Sequence, residues 1–273
     1  MSLPLFQVDA FTDRPFAGNS AAVCLCPDEF PDSLPLQEVA AEMNLSETAF
    51  VAPRSEGENA HFDLRWFTPV QEVDLCGHAT LAAAHVLWAE GHAPAAATIT
   101  FHTRSGPLTA RRPSPGGDAV RLDFPAEPVE SCDAPPALTE ALGAAPAFTG
   151  RNRMDVLACF DDAQAVRRLT PDFAHLAEAI DARGVIATAR EAAGAGPDFV
   201  SRFFAPRAGV NEDPVTGSAH CALAPFWAER LGRARLTGRQ ASARGGTVRC
   251  EARGERVGLG GPAVTVLRGA LAV

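Results

Sequence analysis

The chain has 273 residues, 47% of them hydrophobic and 21% charged, a composition that belongs to a folded globular protein and excludes a disordered one. Its 24 basic against 33 acidic residues leave a formal charge of −9, so neither nucleic acid nor an anionic membrane surface is expected as a partner. Lys and Tyr are both absent, which excludes a Schiff-base lysine (and with it pyridoxal-phosphate chemistry), a P-loop lysine and a tyrosine general acid.

In chain order, the apolar patterning predicts strands over 5–11 and 21–25, separated by the turn residues Thr12-Asp13-Arg14-Pro15. Residues 36–43 have helical spacing, and Asn44-Leu45-Ser46-Glu47 leads into an apolar run over 48–51. Residues 62–67 alternate, with Phe62, Leu64 and Trp66 on one face and Asp63 and Arg65 on the other, which predicts a half-buried strand. Residues 77–90 are rich in Ala and Leu, lack Gly and Pro after Gly77, and stop at Gly91; they predict a helix. A hairpin over 98–111 turns at Ser105-Gly106-Pro107, a turn follows at 113–117, and 120–124 reads as a strand. Residues 128–136, rich in Pro and small side chains, read as a linker. Beyond it, strands are expected over 156–160, 184–188, 199–204, 248–251, 256–258 and 263–267, with a flexible turn at 192–197. Helices are expected over 171–179 and 218–231, the second kinked at Pro225.

The seven cysteines form no Cys-x-x-Cys pair, and the N-terminus lacks the basic and apolar regions of a secretory signal. A cytoplasmic protein with reduced, mostly buried thiols is expected. Cys24 and Cys26 would share a strand face, but no second pair has zinc spacing, so no metal is expected. Gly-x-Gly-x-x-Gly, Gly-x-Ser-x-Gly and His-Glu-x-x-His motifs are absent, and His85 and His92 read as helix-face and post-helix residues.

The main organisational signal is an internal repeat. Trp66-Phe67-Thr68-Pro69, Asp74 and Cys76-Gly77-His78-Ala79 are echoed by Phe203-Phe204-Ala205-Pro206, Asp213 and Thr216-Gly217-Ser218-Ala219. Thr103-Arg104-Ser105-Gly106 is echoed by Ser242-Ala243-Arg244-Gly245. Two related mixed α/β domains are expected, over 1–127 and 128–273, with the last strand or terminal segments free to cross between them.

Gly77 and Gly217 each begin a helix, where unpaired N–H groups and the positive dipole end suit an anion. If the halves face each other, both turns point into one cleft and clamp one carboxylate; the alternative is that Asp74 and Thr216 simply cap their helices. A clamped carboxylate suits removal of a nearby proton, for which Glu47, His78 and Asp213 are candidate acids and bases. Each has an ordinary alternative: Glu47 as a cap or solvent-facing group, His78 as a cap, Asp213 as a turn residue.

The segments Gln7-Val8-Asp9-Ala10-Phe11, Pro15-Phe16-Ala17-Gly18-Asn19, Asn44-Leu45-Ser46-Glu47-Thr48, Asp74-Leu75-Cys76-Gly77-His78-Ala79-Thr80, Glu212-Asp213-Pro214-Val215-Thr216-Gly217-Ser218-Ala219 and Arg244-Gly245-Gly246 together resemble the PhzF family of phenazine-biosynthesis-like isomerases, which shares its fold with diaminopimelate epimerase. The resemblance covers almost the whole chain. It implies an α+β fold of two pseudo-symmetric domains, each a barrel-like mixed sheet around a central helix, with the active site in the interdomain cleft, and a homodimer. It implies that Glu47 shuttles a proton, that His78, Asp213 and Ser218 belong to the site with Ser46, and that Gly77 and Gly217 hold a substrate carboxylate. In epimerase relatives two cysteines act as base and acid. Here Cys76 occupies one such position, but Thr216 occupies the other, which argues against a two-thiol racemase.

The expected activity is therefore a cofactor-independent isomerisation of a small carboxylate metabolite by acid–base catalysis. An amino-acid epimerase or racemase is the alternative enzyme, and a metabolite-binding protein that retains the fold is the alternative without catalysis. No flavin, nicotinamide, pyridoxal phosphate or essential metal is expected.

Overall fold

The computed structural model describes residues 2–30, 35–54, 60–112 and 119–272. The turn expected at 113–117 lies outside the described residues. The chain divides into two compact units, Met1–Phe124 with Gly260–Val273, and Pro125–Leu259. It thus crosses three residues before the expected boundary and returns at Gly260, so the last strand belongs mainly to the first unit.

The first unit contains β1 (Ser2–Ala10), β2 (Asn19–Leu25), α1 (Leu36–Met43), β3 (Glu47–Pro53), β4 (His61–Phe67), β5 (Glu72–Val73), α2 (Gly77–Ala89), β6 (Ile99–Thr103), β7 (Gly106–Arg111) and β8 (Ala119–Pro125). The second contains β9 (Glu130–Ser131), α3 (Leu138–Leu142), β10 (Phe148–Arg151), β11 (Asp155–Phe160), α4 (Ala163–Arg168), α5 (Phe173–Ala179), β12 (Gly184–Arg190), β13 (Phe199–Phe204), α6 (Gly217–Leu231), β14 (Arg235–Gln240) and β15 (Gly246–Arg253). The final strand, β16 (Arg256–Ala272), starts in the second unit and ends in the first.

In the first unit the order β1-β2-β3-β4-β6-β7-β8-β16 closes on itself, because β16 also pairs with β1. The result is an eight-stranded barrel. Its β2–β3 and β4–β6 pairings are parallel. Parallel neighbours need a crossover, and α1 and α2 supply them. Ten of the 13 residues of α2 are buried, so the helix has no polar face and forms the centre of the unit. The second unit repeats the sequence of pairings from β10 to β15: antiparallel, parallel, antiparallel, parallel, antiparallel. Here α4 and α5 make the first crossover and α6 the second. This repeated order of strands and central helix is the structural form of the sequence repeat.

Two local expectations change. The strands expected at 256–258 and 263–267 are one strand. Gly260 reads as a breaker but answers a need for space: a Cβ there would lie 2.7 Å from the Val120 carbonyl oxygen on β8. The linker at 128–136 contains β9, which pairs with β10. Pro225 lies inside α6, and the helix continues through it. Its missing N–H leaves the Cys221 carbonyl available, and the Glu127 amide takes it at 3.1 Å. Several short elements (α3, α4, β10 and β14) carry too few residues for a clear period.

Cys24, Cys26, Cys76, Cys221 and Cys250 are buried, while Cys132 and Cys159 are half-buried. Cys24 and Cys26 pack with α1, and burial pushes their thiols up to about 12 and about 11. They behave as small apolar side chains. Among the described residues no helix is long and apolar enough to cross a membrane.

Candidate active site

The starts of α2 and α6 are built alike. Cys76 and Thr216 occupy the N-cap positions in extended conformation, and neither side chain caps its helix. The capping alternative therefore fails. Asp74 is exposed and lies 3.4 Å from Arg104. The Thr216 hydroxyl donates to Asp213 Oδ2, and its amide donates to Gln240 Oε1 at 2.9 Å. The first turns of both helices so keep backbone N–H groups that no capping side chain takes.

In the first unit, Asn44 ends α1 in the left-handed conformation, and the chain turns through Leu45 and Ser46 into β3, whose first residue is Glu47. Parallel pairing sets Glu47 beside Ala21 of β2, two residues from Asn19 at the start of that strand. His78 enters from the first turn of α2. His78 Nε2 and Glu47 Oε2 stand 3.1 Å apart. Both atoms are buried, and neither meets a partner in hydrogen-bond geometry, so the contact is a close ion-pair approach rather than a linear hydrogen bond. On the other side of the ring, Nδ1 lies 3.3 Å from Asn19 Nδ2 and 3.6 Å from Cys76 Sγ. Ser46 Oγ donates to Asn19 Oδ1 at 3.1 Å, which fixes the amide so that its NH₂ faces the imidazole.

The electrostatics follow from this packing. Burial pushes the His78 imidazole down, but Cys76 and Glu47 beside it raise it well above the ordinary 6.5. Burial and the nearby Glu47 push the Cys76 thiol up, against the pull of His78. Cys76 is thus a thiol at neutral pH. Glu47, 3.1 Å from Nε2, adds to the upward pull on His78 after Cys76.

Glu47, Cys76 and His78 bring ligand-type atoms within 4.8 Å of one another, a donor set that zinc accepts. The ring, however, turns Nε2 to Glu47 and Nδ1 to Cys76. One ion takes one nitrogen of an imidazole, so an ion at Nε2 would lie on the Glu47 side of the ring and one at Nδ1 on the Cys76 side.

Of the expected residues, Glu47, His78, Cys76 and Ser46 come together in the first unit, with Gly77 opening α2. Asp213, Gly217 and Ser218 come together in the second unit, around the start of α6. Asp213 accepts from Thr216, and its backbone N–H and C=O are held by the Phe203 carbonyl and Gln240 Nε2 at 3.0 and 2.7 Å. Ser218 accepts from Arg183 Nη2 at 2.9 Å.

Two site residues were not singled out from sequence. Asn19, fully buried, appears there only inside the Pro15–Asn19 motif; an amide directly after Gly18, whose φ of +66° permits a tight turn, was the available signal. Gln240, also fully buried, ties Asp213 to Thr216 from 24 residues away and carries no local signal.

Comparison with known proteins agrees with the fold. A family model described as phenazine biosynthesis-like protein matches residues 8–269. An uncharacterized isomerase of Halalkalibacterium halodurans is 50% identical over 272 residues, covering 99% of each chain. The crystal structure of a PhzF-family phenazine biosynthesis protein from Enterococcus faecalis is 40% identical, with a TM-score of 0.91 over 100% of both chains. A predicted epimerase from Pseudomonas aeruginosa, 22% identical over 99% of each chain with a TM-score of 0.78, shares the fold. The chain belongs to the phenazine biosynthesis-like PhzF family.

Proposed function

We propose that the protein is a cofactor-independent isomerase that moves a proton on a small carboxylate. The observation that carries this is the Glu47–His78 approach of 3.1 Å, buried and lacking a linear hydrogen bond, beside a helix start without a side-chain cap.

In this reading the backbone amides at Gly77–His78 and those at Gly217–Ser218 are each binding points for a substrate carboxylate. Glu47 removes a proton from one carbon, and the electron pair shifts into the neighbouring unsaturated system. Its carboxyl proton exchanges with solvent, and Glu47 then delivers a proton at a second carbon. His78, 3.1 Å from Glu47 Oε2, holds the carboxyl group in place through both transfers. The helix N–H groups stabilise negative charge that develops at the carboxylate end. Asp213, held by Thr216 and Gln240, orients the remaining polar groups of the substrate.

The epimerase alternative has the Cys76–His78 contact in its favour, and the upward-shifted thiol against it. A panel of small carboxylic acids incubated in deuterated buffer tests the proposal. One acid should gain deuterium at carbon and rearrange. An acid that binds tightly without exchange or conversion makes the protein a binder and refutes the proposal.

A further inference from the structure

In the second unit an ion pair with a buried carboxylate is joined to the start of α6. Asp155 opens β11, and Arg183 directly precedes β12, which runs beside it with Asp155 opposite Gly184. The Asp155 side chain has no exposed surface. Its oxygens are both taken by Arg183, Oδ1 by Nε at 3.0 Å and Oδ2 by Nη2 at 2.6 Å. The backbone around the pair is also fixed. Asn152 Oδ1 accepts from the amides of Met154 and Asp155, and the Arg183 amide donates to the Met154 carbonyl. The guanidinium lies over the Phe203 ring at 5.3 Å, and a Cβ at Gly184 would come within 2.5 Å of that ring. Fork geometry and stacking therefore leave the guanidinium one position.

From that position Arg183 Nη2 also donates to Ser218 Oγ. A guanidinium has no acceptor, so Ser218 Oγ must accept from it. The hydroxyl proton is then turned away from Arg183. A serine free to rotate can either donate or accept; this one is set to donate, at a helix start whose amides are donors as well.

We propose that Arg183 is a positioning residue: locked by Asp155, it holds Ser218 as a hydrogen-bond donor and so selects a carboxylate oxygen over a neutral or donor-bearing group at the start of α6. This rests on the assignment of Ser218 to the substrate carboxylate made above. It predicts that Arg183 acts through the Ser218 hydroxyl and not by touching the ligand.

The test is a titration of the ¹⁵N-labelled protein with acetate and, separately, acetamide, following the amide signals of Gly217 and Ser218. Acetate should shift them saturably and acetamide should not. Removing Arg183 alone strands a buried carboxylate, so the variant is Arg183→Met with Asp155→Asn. It should weaken acetate binding about tenfold, the scale of a lost charge-assisted hydrogen bond. Ser218→Ala should weaken it equally, and all three changes together no further than Ser218→Ala alone. Independent, multiplying losses overturn the proposal while leaving the carboxylate assignment intact. Should the paired variant not fold, Arg183→Lys, which lacks the fork, is measured in the wild-type and Ser218→Ala backgrounds; its loss must vanish in the second. If acetate shifts neither amide in the wild-type protein, the carboxylate assignment fails, and this proposal with it.

Discussion

His220 is fully buried in the second turn of α6, where its Nδ1–H donates to the Thr216 carbonyl at 2.8 Å, beneath the proposed anion-binding turn. Its ring packs beside Phe199 at a tilt of 36°, with centroids 6.0 Å apart. Burial lowers its folded-state value from 6.5 to about 4, against the weaker upward pull of the Thr216 carbonyl. Between those values the unfolded chain binds a proton that the folded chain refuses. Stability must therefore fall as the pH drops from about 6.5 to about 4. A shift of this size corresponds to roughly 3 kcal/mol, a large share of a typical domain stability of about 5–15 kcal/mol. His78 is not the source of this loss: its folded-state value is raised, so its contribution is complete below 6.5 and fades only as the pH rises through that higher value. Urea unfolding at pH 7 and pH 4 is the assay, on wild-type protein and His220→Gln. Other titrating groups are common to both proteins and cancel in the comparison. The variant should lose about 3 kcal/mol less than the wild type over this interval. Equal losses would show that His220 is not held neutral by its surroundings.

Three further outcomes follow from the packing and the site. Gly260→Ala puts a methyl 2.7 Å from the Val120 carbonyl and should cost about 1–3 kcal/mol, read as a lower thermal midpoint; an unchanged midpoint contradicts the close approach. Asn19→Ala removes the amide that faces His78 Nδ1 and should slow isotope exchange about tenfold, as expected for a lost polar contact in a buried network; an unchanged rate removes Asn19 from the site. Dialysis against a chelator should leave exchange unchanged, whereas a loss restored by zinc would assign Glu47, Cys76 and His78 to a metal.

The sequence made the long, strongly patterned elements legible. Alternation over 62–67 marked β4, with Phe62, Leu64 and Trp66 buried as expected, and the Ala-rich run after Gly77 marked α2. The repeat of Gly-initiated helices conveyed the two-unit plan, because each central helix follows the same strand, turn and Gly. The barrel closure was not legible: β1 pairs with β16 across the length of the chain, and no local signal carries that contact. The continuity of β16 was hidden because Gly260 and Pro262 read locally as punctuation, while the need that Gly260 meets comes from β8. At the site, residue types and motifs pointed to Glu47 and His78. The partners that fix them or their counterparts, Asn19, Gln240, Asp155 and Arg183, lie far away in sequence and were hidden for that reason.

The central claim is that Glu47 carries the proton. Isotope exchange from solvent into a converted substrate, compared between the wild type, Glu47→Gln and Cys76→Ala, tests it most directly. Glu47→Gln preserves the size of the side chain beside His78 but cannot exchange a proton at the rate required. It should bind the carboxylate near-normally and lose about 10²–10⁴-fold in exchange, while Cys76→Ala stays within a few-fold of the wild type. Exchange at the wild-type rate in Glu47→Gln, with loss in Cys76→Ala, would contradict the account and make the thiol the base.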